Sequence, residues 1–221
     1  MQCFGSPPLQ DGDRLTRIEF HTRYKSMPYL KKAELIEGIV HTEPRVGYQH
    51  GQASAAANFW LGCYRVETPQ MMACAHPTLI VDDANEFQPD ALLRLEQNGG
   101  SWVTDEDYLT GAPELIFEVA EDVTGYEFNE KRDIYRLIGV KEYIVWTIQE
   151  SAIYWYRLQE GQYILAQADS EGIVRSIIFP GLDLHAKALL QGDLSQVLAT
   201  MQAGIVSEVH AEFVKTLRGR S

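Results

Sequence analysis

Two acids and a lysine are the residues best placed to do chemistry: Asp90 in Gln88-Pro89-Asp90, Glu118 in Leu115-Ile116-Phe117-Glu118-Val119-Ala120, and Lys131 in the helical stretch that follows. Both acids lie in segments that otherwise read as buried strand. An unpaired charge is costly there, so a cation is expected to hold them, and a divalent metal is the simplest candidate. Two carboxylates supply hard oxygen ligands for Mg²⁺, or Mn²⁺, an ion that keeps several waters and reaches a substrate phosphate oxygen. Such an ion acidifies a bound water and offsets charge building on phosphorus, while a nearby lysine orients the nucleophile or stabilises the transition state. The chemistry predicted for this set is hydrolysis of a phosphodiester bond.

Each residue also has a plainer reading. Proline is tolerated at the start of a strand, so Pro89 places Asp90 at a strand entrance, where a turn aspartate is common. Ile116, Glu118 and Ala120 share one face of a strand and Leu115, Phe117 and Val119 the other. Both faces read as covered, so Glu118 must be protonated, ion-paired or metal-bound. At about 100° per residue, Phe128, Lys131, Ile134, Tyr135, Leu137 and Ile138 fall within one half of a helix, with Glu127, Glu130 and Asp133 mostly outside it. Lys131 thus sits in the apolar arc, to snorkel or to reach back over the sheet to the acids. His50, near a helix start, is expected to cap or pack and is left out of the site.

Strands and helices must bring these residues together. A helix is expected near Arg14 to Lys25, ending at Met27-Pro28, and Ala33 to His41 has strand character with a bend or bulge at Gly38. A loop around Pro44 to Gly47 follows, then a helix from about Tyr48 to Tyr64. Met71 to Ala75, Pro89 to Leu95 and Pro113 to Glu121 read as strands, with residues 96–112 as polar linker. A helix from Glu127 to Ile138 closes at Gly139, and strands follow at Glu142 to Ile148, Ala152 to Leu158 and Gln162 to Ala168, with a turn at Gln159-Glu160-Gly161. Lys141 and Glu142 read as a solvated strand entrance. This order predicts an α/β protein with a mixed sheet. Met201, Ile205, Val209, Phe213 and Leu217 recur every four residues as an apolar stripe on a C-terminal helix weakened by Gly204; it either docks on the protein's own core or meets a partner.

The chain of 221 residues, 45% of them hydrophobic, has material for one sizeable core. Its formal net charge of −12 argues against broad attraction to nucleic acid or anionic membrane but leaves room for a local basic groove. Cys3, Cys63 and Cys74 form neither a disulfide framework nor a zinc ribbon, and no signal sequence or apolar span is evident, so a cytoplasmic, soluble protein is expected.

Several segments, taken in order, carry a resemblance: Ala33-Glu34-Leu35-Ile36-Glu37-Gly38, His50, Gln88-Pro89-Asp90, Pro113 to Val119, Lys131-Arg132-Asp133-Ile134-Tyr135-Arg136-Leu137-Ile138-Gly139 with Val140 to Tyr143, and Phe179-Pro180-Gly181-Leu182. Over residues 14–190 the chain resembles a large bacterial restriction endonuclease family, once catalogued as a domain of unknown function, within the PD-(D/E)XK nuclease superfamily. That resemblance implies a restriction endonuclease-like core, a mixed β-sheet flanked by helices, with Asp90 and Glu118 as metal ligands. The lysine expected two residues after Glu118 is Ala120 here, and Lys131 matches the helix position where the family places it. An additional acid near the first strand falls on Glu34 or Glu37, with Glu34 the better fit. The implied organisation is a flexible tail over residues 1–13, a nuclease-like domain over 14–190 and a C-terminal helical extension over 191–221. The implied function is Mg²⁺-dependent endonucleolytic cleavage of DNA, with a homodimer through the C-terminal helix as a further expectation. A non-catalytic binding or assembly module on the same fold, and a small phosphoester hydrolase, are the alternatives.

Overall fold

The computed structural model describes residues 7–42 and 46–219. Cys3, the start of the expected tail and Pro44 of the expected loop lie outside the described residues. Helix α1 (Arg17–Lys25) precedes a hairpin of β1 (Ala33–Ile36) and β2 (Ile39–Thr42), and α2 (Tyr48–Glu67) follows. Next come β3 (Met71–Ala75), β4 (Leu79–Ile80), β5 (Glu86–Phe87), β6 (Ala91–Leu95), β7 (Ser101–Val103), β8 (Leu109–Gly111) and β9 (Leu115–Ala120). Helix α3 (Glu130–Ile138) leads to β10 (Glu142–Thr147), β11 (Ala152–Gln159), β12 (Gln162–Leu165), β13 (Ile173–Arg175) and β14 (Asp183–His185). Helices α4 (Ala186–Leu190), α5 (Leu194–Ile205) and α6 (Glu208–Arg218) come last.

The strands form two six-stranded sheets, ordered β2-β1-β5-β4-β8-β7 and β12-β11-β10-β9-β6-β3, and a small β13-β14 hairpin. Both large sheets are mixed: β4 runs parallel to β8 in one and β9 parallel to β10 in the other, where α3 makes the crossover. The expectation of a mixed sheet flanked by helices therefore holds, with two such sheets in place of one. Three features position the site. Strand β9 is buried along its whole length, Leu115, Phe117 and Val119 facing a core shared with α2 and α5 while Ile116 and Ala120 face a second core beneath α3. The chain passes from the first sheet to the second at Gln88-Pro89-Asp90, between β5 and β6. Helix α3 stops where Gly139 takes the left-handed conformation (φ 94°), returning the chain to β10 beside β9.

Local chemistry accounts for the other boundaries. Thr16 and Glu19 form a reciprocal capping box at the start of α1. The bend expected at Gly38 is a tight hairpin turn, Glu37 and Gly38 both having positive φ. Residues 96–112 are not a linker: they carry β7 and β8, which finish the first sheet. Strands of three residues are too short to show alternation, and the fold-back depends on the Glu114 carboxylate, which accepts from the amides of Leu95 and Gly100 at 2.8 Å each. Glu142 is not solvated either; it is fully buried, whereas its neighbour Lys141 is exposed as expected. The expected helix from Glu127 begins at Glu130, and Glu127 is buried in the preceding turn.

Within the expected tail, Leu9 is buried, the Gly12 amide donates to Val40 at 2.8 Å, and Asp11 accepts from the Thr42 amide. The C-terminal stripe spans two helices, broken before Ser207, which caps α6 by accepting from the His210 amide. Met201 and Leu217 enter the main core, Ile205 and Phe213 pack against it, and Val209 is exposed. Gly204 has a reason to lack a side chain: a β-carbon there would stand 2.5 Å from the Gly181 carbonyl oxygen. Among the described residues no helix is long and apolar enough to cross a membrane.

Candidate active site

Asp90 and Glu118 meet because β6 and β9 pair antiparallel, with Ala91 opposite Phe117. The Asp90 amide donates to Glu118 Oε2 at 3.3 Å, and the Val119 amide donates to Asp90 Oδ2 at 3.0 Å. From the first sheet, β1 contributes Glu34, whose Oε1 accepts from the Gln88 amide at 2.6 Å. Glu37, the other candidate, is exposed on the hairpin turn, so Glu34 is the acid brought to the cluster. The first turn of α3 supplies Lys131, with Nζ 2.9 Å from Glu34 Oε1 and 2.5 Å from Glu118 Oε1. Lys131 does not snorkel: Glu118 and Lys131 have no solvent exposure, and the ammonium also lies 5.4 Å from the centre of the Phe87 ring. Thus all four residues singled out from sequence, Asp90, Glu118, Lys131 and Glu34, converge.

Sequence reasoning missed or set aside several partners. Tyr135, one turn beyond Lys131, donates its hydroxyl to Glu118 Oε1 at 2.9 Å; its place on the same helical face was a usable signal. His50, left out above, has Nε2 3.1 Å from Asp90 Oδ1, and the half-exposed His76 has Nδ1 3.8 Å from the same oxygen. The Asn58 side chain donates to the Asp90 carbonyl at 3.0 Å. Lys32, buried at the start of β1, borders the same groove as Asp90, His50 and His76. No sequence periodicity distinguishes Lys32 from the adjacent Lys31. Leu137 is 72% exposed, so the apolar arc of α3 is narrower than the wheel suggests.

The electrostatics separate the acids. Burial alone would raise Asp90, but the His50 hydrogen bond, the Lys32 charge and the Val119 amide outweigh it and keep the carboxylate ionised. Glu34 is also held below its ordinary value, Lys131 and Lys32 overcoming its burial. Glu118 goes the other way: burial, with the like charges of Glu34 and Asp90, pushes it up to about 8 against the pull of Lys131. Burial lowers Lys131, but Glu118 and Glu34 more than compensate and raise it well above its ordinary value.

The cation expected from sequence is thus present as two lysines. A metal is not needed to explain why the acids can be buried; whether one fits is a separate question. Among the described residues no three His, Cys, Asp or Glu side chains are gathered into a ready-made metal cage. Mg²⁺ takes one or two protein carboxylates and fills its shell with water and substrate oxygens. The donors are hard oxygens, Asp90 borders the groove, and Glu34 Oε2 is a buried acceptor without a hydrogen-bond partner. The carboxylates such an ion would use are those of Asp90 and Glu118.

Comparison with known proteins bears on the fold and the family. The fold is similar to the crystal structure of a "putative nuclease belonging to DUF820" from Anabaena variabilis ATCC 29413, with a TM-score of 0.56 and 14% identity over 72% of this chain and 89% of that one. At that identity the likeness concerns the fold alone. No curated protein matches. The family model described as "Putative restriction endonuclease" (Uma2) matches residues 19–187, a span that contains Glu34, His50, Asp90, Glu118 and Lys131, and the chain belongs to that family.

Proposed function

We propose that the protein is a metal-dependent nuclease that hydrolyses phosphodiester bonds in DNA at the cluster of Asp90, Glu118, Lys131 and Glu34. The observation that carries this reading is the convergence of these charged groups, from β1, β9, α3 and the β5–β6 connection, where the two sheets meet. A lysine turned to solvent would have favoured a binding module. Asp90 and Glu118 would hold Mg²⁺ or Mn²⁺, which when bound supplies an acidified water and offsets phosphate charge. The protein's own groups prepare the site. Asp90 stays ionised, and His50 fixes the direction of its Oδ1. Lys131 carries a permanent positive charge that can stabilise a developing phosphorane, and Glu34, anchored by the Gln88 amide, sets where that ammonium stands.

A second reading has its own observation. Glu118 Oε1 already accepts from Lys131 and Tyr135, and Oε2 from the Asp90 amide, so the cluster is coherent without a metal and could serve a binding module that no longer cuts. Calorimetric titration of Mg²⁺ and Mn²⁺ into the wild type and the Asp90→Ala, Glu118→Ala double variant, with plasmid nicking on the same samples, separates the two. The nuclease reading expects metal binding and nicking that both vanish in the double variant. Nicking that survives in the double variant sinks the proposed site, and absent metal binding in the wild type supports the module.

A further inference from the structure

In a chain of net charge −12, residues 14–32 run the other way: Arg14, Arg17, Arg23, Lys25, Lys31 and Lys32 stand against the single acid Glu19, a local net charge of +5. This segment is α1 and the loop that joins it to β1. It ends at the candidate site, because Lys32 borders the groove of about 300 Å³ over Asp90. The end of α1 is fastened there too, the Tyr24 hydroxyl donating to the Lys31 carbonyl at 3.1 Å and lying 3.3 Å from Gln88 Oε1, two residues before Asp90.

Some of these cations have protein work. Arg17 pairs with the buried Glu86 at 3.6 Å and Arg23 with Asp13 at 3.7 Å. Lys25 and Lys31 are different. Lys31 is exposed, and Lys25, whose ammonium lies 5.4 Å from the centre of the Tyr108 ring, has its only ion pair among the described residues with Glu106 at 3.1 Å, with side-chain exposures of 53% and 68%. A pair so open to water contributes little and exchanges readily for another anion. Beside them Tyr29 is 73% exposed, a ring with no burial to explain it. Cations spaced along one segment with an exposed aromatic among them make the surface on which a nucleic-acid strand lies, phosphates on the ammonium groups and a base on the ring.

We propose that Lys25, Tyr29 and Lys31 form a track that leads a nucleic-acid strand past Lys32 to Asp90. The inference rests on the nuclease reading above and adds where the strand approaches. It also accounts for how so acidic a protein can take a polyanion: attraction is confined to one segment, and repulsion elsewhere keeps the strand on it.

The test is the affinity of a short, dye-labelled single-stranded DNA for the full-length protein, measured by fluorescence anisotropy in EDTA across a salt series, so that binding is read without cleavage. Lys25→Gln with Lys31→Gln should weaken binding about 20-fold near 0.1 M salt and lower the slope of log affinity against log salt by about 1.4, the value for two lost single-strand phosphate contacts. Lys187→Gln with Lys215→Gln, which removes the same charge from exposed positions on α4 and α6, should change neither. Tyr29→Ala should weaken binding without changing the slope. Equal affinities for the two charge variants, or no binding by the wild type, overturn the track. A wild type that nicks plasmid but binds independently of Lys25 and Lys31 leaves the nuclease reading standing, and one that binds through them but never nicks overturns that reading alone.

Discussion

Glu118 and Glu142 are both fully buried glutamates on neighbouring parallel strands, yet their surroundings differ in kind. Glu142 is answered mainly by neutral donors: the Ser176 hydroxyl at 2.6 Å on one oxygen and the Ile177 amide at 2.9 Å on the other, with Arg157 farther off at 3.9 Å. Those bonds tie the segment after β13 to the start of β10, which is a structural task. Glu118 instead shares a buried space with Glu34, Asp90 and Lys131, and one oxygen of that group, Glu34 Oε2, has no hydrogen-bond partner. Burial raises both glutamates. The difference lies in what is left over. A carboxylate with each oxygen satisfied locally is a fastening, whereas three acids facing two lysines, with an unfilled acceptor on Glu34, are a place where a ligand can be gained.

The contrast can be broken at either glutamate. Asp90→Ala and Glu118→Ala should each lower plasmid cleavage by about a hundred- to a thousand-fold while near-ultraviolet circular dichroism stays native; Glu142→Ala should leave cleavage per folded molecule unchanged. Equal loss of activity at Glu118 and Glu142 would erase the distinction. Next in size is Lys131→Ala, which strands buried acids and should cost about 3–5 kcal/mol in denaturant unfolding. It should also slow turnover more than it weakens Mg²⁺ binding, since the lysine is assigned to transition-state charge. Glu142→Ala comes third, leaving the Ser176 hydroxyl and Ile177 amide without their acceptor at a cost of about 1–3 kcal/mol by the same measurement. A stability loss larger than that of Lys131→Ala would mean that the denser charge cluster is the less important fastening.

The site was more legible than the frame around it. Asp90 and Glu118 stand out as charges in segments that read as buried strand, Lys131 as a charge on the apolar arc of its helix, and Glu34 came from the family resemblance alone. His50 and Tyr135 were harder, for a histidine near a helix start and a tyrosine on an apolar face are common in any core; only the distances to Asp90 and Glu118 give them a role. Lys32 could not be told from Lys31, because burial of one of two adjacent lysines is decided by how β1 enters its sheet. The longer strands and α1 to α3 were read to within a few residues, whereas the single helix expected at the C-terminus is two, α5 and α6. Among the elements missed, β4, β5, β7 and β8 have two or three residues each and a pairing set by distant partners rather than by local pattern, and the short β13, β14 and α4 were not read either. Glu142 was misread because its burial comes from Ser176 and Ile177, more than thirty residues on.

The last prediction asks which side wins in the competition around Glu118. Burial and the charges of Glu34 and Asp90 favour its protonated form, while Lys131 and Lys32 favour the carboxylate, and the balance puts it at about 8. An acid raised in this way holds its proton in the folded protein after the unfolded chain, near the ordinary value of 4.5, has released it. Its contribution to stability is therefore present in full below the unfolded value, and it is lost as the pH rises towards the folded one. Asp90 and Glu34 are shifted down, so their contributions are already complete above about pH 5 and are lost only on acidification. Between pH 5 and 8 Glu118 alone among the three should make the metal-free protein less stable with rising pH. Glu118→Gln stays neutral at every pH, so its melting temperature relative to wild type should climb across that window and level off above it. A difference that stays flat from pH 5 to 8 would mean that Lys131 keeps Glu118 ionised throughout, and that the two lysines balance the acids more closely than burial allows.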